Sequence, residues 1–129
     1  MTTETTKRTI LIIDDEPDLR TYLATLFEDN GFEALTTGDG NKGLELARRR
    51  EPALICLDIS MPEPSGVRVY RELKKDPKLA SIPVVMVTGV PRQFEEFISR
   101  RRQVPPPEGY VAKPFDPEQL LAKVQEILK

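Results

Sequence analysis

The chain has no histidine, and its one cysteine is Cys56. Without histidine it can build no His-based zinc site, no Ser–His–Asp or Cys–His catalytic set, and no phosphohistidine of its own. A lone cysteine forms no intramolecular disulfide, and Cys56 lies within an apolar run, where it reads as a small buried hydrophobe. Long apolar stretches are missing too. The strand-like runs are three to five residues long, far short of a membrane span. Met1–Arg8 is polar and threonine-rich and lacks the apolar centre of a signal peptide. A reducing cytoplasm is the expected compartment. Nor is there an excess of one charge: a net -2 gives no general pull toward nucleic acid or anionic membrane. Two arginine triplets, Arg48–Arg50 and Arg100–Arg102, fall at predicted helix C-termini, where cations complement the macrodipole, and are read as solvated helix ends.

What is present fits one domain of 129 residues with one core. Strand-like runs at Thr9–Ile13, Phe32–Thr36, Ala53–Leu57, Val84–Val87 and Tyr110–Ala112 alternate with helical patterns. Leu19, Tyr22, Leu23, Leu26 and Phe27 form a stripe at helical period, with Pro17 in the first turn and Gly31 closing the helix. Asp39 and Asn41 offer caps for a second helix through Leu44 and Ala47, which Pro52 ends. A third helix carries Val67, Tyr70 and Leu73, with Leu79 and Ile82 tucked in beyond it. A fourth spans Gln93–Arg102. The last begins at an Asp116/Gln119 capping pair around Pro117 and repeats Leu120, Leu121, Val124, Ile127 and Leu128. Five alternations predict an α/β (βα)5 domain with a parallel sheet covered on both faces, and Phe32–Thr36 at an edge.

In such a sheet the carboxyl ends of the strands share one edge, and ligand sites gather there. The first strand runs into Asp14–Asp15, the third into Asp58, the fourth into Thr88 and the fifth into Lys113–Pro114. Each has a bland explanation taken singly. Asp14–Asp15–Glu16 suits a helix start, Asp58 a loop cap, Thr88 a strand, and Lys113 a solvated surface. Together they place three carboxylates, a hydroxyl and an ammonium in one crevice, beside Gly89, where a ligand could approach the backbone. That is equipment for a divalent metal and a phosphoryl group.

These residues resemble the receiver domain of two-component response regulators, of the chemotaxis-type single-domain kind. The match runs from about Arg8 to Lys129. It includes Ile12–Glu16, Leu57-Asp58-Ile59-Ser60-Met61-Pro62, Ser65-Gly66, Ile82–Val85, Val87-Thr88-Gly89 and Lys113-Pro114-Phe115. The resemblance implies a flavodoxin-like sheet in strand order 2-1-3-4-5, over residues 8–129 after a disordered or extended tail at 1–7. It implies that Asp58 is the phosphoacceptor and that Asp14, Asp15, Asp58 and the Ser60 backbone carbonyl hold Mg²⁺ (or Mn²⁺). Thr88 and Lys113 would bind phosphoryl oxygens, and Thr88 with Tyr110 would form the conformational switch. A cis bond before Pro114 would turn Lys113 into the crevice.

The implied activity is that of a phosphoacceptor rather than an independent enzyme. A sensor histidine kinase or phosphotransfer protein would act in trans, since the chain has no histidine. The downstream target would be a protein, with no direct nucleic acid or membrane contact, and the chain a monomer or weak dimer. No output domain is expected after the last helix. The alternative is a binding module of the same fold that docks without phosphorylation; an aspartate-based phosphatase would need an acid–base group where Ser60 stands. Two departures stand out. The interval from Thr88 to Lys113 is longer than usual for a receiver, with Pro105–Pro107 holding it extended. Ser60 and Val90 carry neither carboxamide nor carboxylate to place an attacking water, which implies slow self-dephosphorylation.

Overall fold

The computed structural model describes residues 7–59, 61, 65–88, 107–113 and 115–129, with the backbone alone for Thr88 and Ala112. The predicted Gln93–Arg102 helix, Gly89, Val90, Arg100–Arg102 and Pro105–Pro106 lie outside those residues, as do Ser60 and Pro114 with its peptide bond. Five strands form one sheet: β1 (Thr9–Ile13), β2 (Glu33–Thr37), β3 (Leu54–Leu57), β4 (Val84–Thr88) and β5 (Gly109–Ala112). All neighbours pair in parallel, in the order β2-β1-β3-β4-β5. The described helices are α1 (Pro17–Glu28), α2 (Gly40–Arg50), α3 (Gly66–Lys75) and α4 (Pro117–Ile127). None of them is long and apolar enough to cross a membrane.

Side chains alternate between faces along a strand, so a sheet covered on both sides must be apolar at every position. β1 and β3 meet that demand. Leu11, Ile13, Ile55 and Leu57 pack with Val84 and Met86 against Leu44 and Ala47 of α2 and Val69, Tyr70 and Leu73 of α3. Their neighbours Ile10, Ile12, Leu54 and Cys56 join Val85 and Val87 against Leu23 and Phe27 of α1 and Leu120 and Val124 of α4. Burial pushes the Cys56 thiol up to about 12, in keeping with a hydrophobic role. β2 is half exposed, as expected at an edge. On α3 the sequence stripe omitted Val69, which is fully buried, whereas Val67 only packs against the cluster's rim. Leu79 and Ile82 are buried as predicted.

The helix ends explain the segmentation. Gly31 takes a left-handed φ of 91°, and beside it the Phe32 N–H returns 3.0 Å to the Phe27 carbonyl while the two rings meet edge to face. Asp39 accepts from the Asn41 N–H at 2.9 Å and Asp116 from the Glu118 N–H at 2.9 Å, so both aspartates cap their helices. Glu51 closes α2 in a left-handed conformation just ahead of Pro52. The arginine triplet at the end of α2 meets acids: Arg48 with Asp76, Arg49 with Glu45 and Arg50 with Glu33, at 3.2, 3.3 and 3.0 Å. These exposed pairs add little stability, and the triplet lies in the last turn of α2, as predicted.

Outside the predicted stripe, Glu108 fixes the start of β5. Its carboxylate accepts from the Val84 N–H at 2.7 Å and its own N–H donates to the Val84 carbonyl at 3.0 Å. The register that follows pairs Met86 with Tyr110 and Thr88 with Ala112, which carries Lys113 to the carboxyl edge.

Candidate phosphoacceptor and metal site

Sequence neighbours of β1 and β2 part company after β1: β2 lies on one side of it and β3 on the other. That reversal opens a crevice at the carboxyl ends of β1 and β3. Asp14 follows β1 and Asp58 follows β3, and their backbones are tied together, the Asp58 N–H donating to the Ile13 carbonyl at 3.0 Å. Both are nearly wholly buried, at 2% and 1% exposure. A buried carboxylate without a partner is costly, so something must compensate these two.

Lys113 does. Its ammonium lies 3.2 Å from Asp14 Oδ2, 3.2 Å from Asp58 Oδ2 and 2.8 Å from Glu16 Oε1. An ammonium has three donors, and each has a carboxylate here. Burial works against the charge on Lys113, but the Glu16 hydrogen bond and the Asp14 and Asp58 carboxylates outweigh it and raise its pKa. Asp14 is also raised, chiefly by burial and then by Asp58; the Glu16 N–H and Lys113 offset only part of this. Three carboxylates and one ammonium leave a formal double negative charge.

Glu16 was missed by the sequence reading, which paired Asp14 with Asp15. Asp15 and Glu16 are both exposed, and among the described residues the carboxylates near enough to share an ion are Asp14, Glu16 and Asp58. The reason is local. Glu16 precedes Pro17, which disfavours helical backbone, and it sits at φ −90°, ψ 110°. The chain bends at Asp15, and the Glu16 N–H donates to the Asp14 carboxylate across that bend, which keeps Glu16 beside Asp14. The signal was present in the Asp-Asp-Glu-Pro order. Nor does Glu16 cap α1 with its side chain; that carboxylate goes to Lys113, and the Asp14 carboxylate takes the Glu16 N–H at 2.9 Å. Side-chain capping of α1 therefore does not account for the Asp14 and Glu16 contacts with Lys113.

The donor set suits a hard divalent cation. Carboxylate oxygens of Asp14, Glu16 and Asp58 lie within 4.8 Å of one another, close to the roughly 4.2 Å between opposite ligands of one Mg²⁺ ion. Thr88 ends β4 beside them in the register, its side chain lying outside the description. Tyr110 is half-buried against the core on the α3 side, its hydroxyl inside the protein. It shares that region with Tyr70, whose phenol is raised by burial, then by Glu108 and Tyr110.

Comparison with known proteins agrees with this geometry. Residues 10–125 match the family described as "Response regulator receiver domain". The chain is 33% identical over 119 residues to Protein PilH of Pseudomonas aeruginosa, covering 92% of this chain and 96% of that protein. It is 31% identical over 126 residues to the DNA-binding response regulator MtrA of Mycolicibacterium smegmatis, covering 98% of this chain but 53% of MtrA. The chain spans about half the length of several such curated relatives. A sensor protein from Polaromonas superimposes with a TM-score of 0.85 at 27% identity, over 95% of this chain and 97% of that one. The chain belongs to the response regulator receiver family.

Proposed function

We infer that the chain is a phosphoacceptor: Asp58 takes a phosphoryl group from a histidine kinase or phosphotransfer protein, and the domain then signals to a protein target. The observation that carries this is the meeting of Lys113 with both Asp14 and Asp58, two buried acids brought from separate strand ends. An acidic pair kept buried with its own counter-ion is costly to maintain without a task.

In the reaction, a carboxylate oxygen of Asp58 attacks phosphorus and forms an acyl phosphate. The donor's P–N bond breaks, its electron pair stays on the imidazole nitrogen, and that nitrogen takes up a proton. Lys113 releases Asp58 and pairs with a phosphoryl oxygen, while the Thr88 hydroxyl donates to another. Asp14, Asp15, Asp58 and the Ser60 carbonyl would hold Mg²⁺ or Mn²⁺. When bound, the metal supplies positive charge that offsets the repulsion between the acids and the incoming phosphate.

Tyr110 and Thr88 form the switch. Moving a population from 1:99 to 99:1 takes about 5.5 kcal/mol of differential stabilisation, for which a new dianion bonded to Lys113 and Thr88 is a sufficient source. The working unit is residues 8–129, in the cytoplasm, as a monomer or weak dimer.

The test is intact-mass analysis after incubation with acetyl phosphate and Mg²⁺. The parent should gain one phosphate and Asp58→Asn none. An equal gain in both proteins would remove the assignment.

A further inference from the structure

Asp14 lies one residue past the end of β1, so its carbonyl has left the sheet ladder and must find another partner. That partner comes from α1. Arg20 Nη1 donates to the Asp14 carbonyl at 2.7 Å, a short, charge-assisted hydrogen bond. On the other side the Asp14 N–H donates to the Thr37 carbonyl at the end of β2, at 3.0 Å. Both backbone groups of Asp14 are therefore held, one by a helix side chain and one by the neighbouring strand. Its carboxylate divides between the Glu16 N–H through Oδ1 and Lys113 through Oδ2.

The guanidinium reaches that carbonyl because residue 38 has no side chain. A Cβ built on Gly38 would stand 2.5 Å from Arg20 Nη1, 3.3 Å from Cζ and 3.4 Å from the Asp14 carbonyl oxygen. Gly38 does not have the left-handed φ that would call for glycine on backbone grounds; that conformation belongs to Gly31. The space it leaves is filled by Arg20. Backbone held at both ends fixes the direction in which the Asp14 carboxylate leaves the chain, and outer partners of metal ligands commonly alter affinity by about 10–100-fold.

We propose that Arg20, admitted by Gly38, is a positioning residue for the acidic pocket: it fixes the Asp14 backbone so that divalent-cation affinity depends on the Arg20–Gly38 pair. The proposal rests on the metal reading given above. Arg20 does not touch the metal or the phosphoryl group. It acts through Asp14.

The test is calorimetric titration of the full chain with MgCl₂, comparing the parent with Arg20→Ala, Gly38→Ala and the double variant. Melting of each protein in EDTA is recorded alongside. Arg20→Ala and Gly38→Ala should each weaken Mg²⁺ binding about tenfold. Because the added methyl of Gly38→Ala meets first the flexible end of Arg20, that variant should fold even if Arg20→Ala does not. Gly38→Ala should change nothing further in an Arg20→Ala background, since its effect passes through the guanidinium. Unchanged Mg²⁺ affinity in a folded single variant, even one with a lowered melting point, would overturn the proposal. So would full additivity in the double variant. A parent that binds no Mg²⁺ would overturn the metal reading and this proposal together; a parent that binds while the variants match it overturns this proposal alone.

Discussion

The Lys113 ammonium lies 3.2 Å from a carboxylate oxygen of Asp14, although 99 positions separate them in the chain. The approach depends on the whole sheet, because β1 and β5 are not neighbours: β3 and β4 lie between them. Lys113 must reach along the carboxyl edge past β4 to meet Asp58 and then Asp14. The pocket's charge balance is thus set by the fold and reads its integrity.

Replacing Asp14 by Asn should stabilise the protein at pH 7 without divalent cation. Its pKa is raised, so the fold prefers the neutral form, and at pH 7 the carboxylate's charge costs stability. The neutral isostere removes that cost and keeps an acceptor for the Glu16 N–H. In sign terms, a raised folded pKa gives stability that is complete below the ordinary value of 3.8 and lost as pH rises through the folded value. The advantage of Asp14→Asn should therefore close as pH falls toward 3.8. Thermal melts in EDTA across pH check this, each kcal/mol reading as about 4 °C for a domain of this size. Added Mg²⁺ should raise the melting point of the parent more than that of the variant.

Lys113→Ala should act in the opposite direction. It leaves three facing carboxylates, two of them buried, without the ammonium that bridges them. Loss of one partner from a buried pair costs about 3–5 kcal/mol; the exposure of Glu16 and partial access to Lys113 reduce this to about 1–3 kcal/mol. Mg²⁺ should recover part of the loss by supplying positive charge in its place. Urea unfolding with and without Mg²⁺ measures both quantities, and a variant as stable as the parent in EDTA would contradict the charge balance described here.

Gly66→Ala should disturb Asp58 more than it disturbs α3. A Cβ at residue 66 would fall inside contact distance of the Ile59 Cα and the Asp58 carbonyl, both backbone atoms with no flexible end to move aside. Overpacking of this kind costs about 1–3 kcal/mol. Displacing the Asp58 backbone should also slow phosphorylation by acetyl phosphate by about tenfold or more, since small misplacements in a reacting pair are amplified in rate. Single-turnover rates at saturating Mg²⁺ would show it. A rate within twofold of the parent would place Gly66 among the merely structural glycines.

Much of this was legible from residue order. Continuous apolar runs in β1 and β3 announced a sheet covered on both faces, and both faces are packed. The strand order came from the family resemblance, because periodicity alone says nothing about which strands pair. Placing acids and a lysine at strand ends gave the Asp14–Asp58–Lys113 meeting without knowledge of distances. Two features escaped. Glu16 joins the cluster because the chain bends at Asp15 and the Glu16 N–H donates to the Asp14 carboxylate, a local turn that the paired-Asp reading passed over. The Arg20 contact depends on an absent side chain at Gly38 across three elements, and no local pattern carries such information.

The central claim is that Asp58 receives the phosphoryl group, and the most direct measurement is to trap it there. An acyl phosphate is reduced by borohydride to the alcohol, so an aspartyl phosphate becomes homoserine while other residues are untouched. The protein is treated with acetyl phosphate and Mg²⁺, reduced, digested and sequenced by tandem mass spectrometry. The account predicts homoserine at position 58 alone, dependent on Mg²⁺ and lost with EDTA. Homoserine at Asp14 or Asp15, or an unmodified residue 58 in a protein that has taken up phosphate, would contradict it.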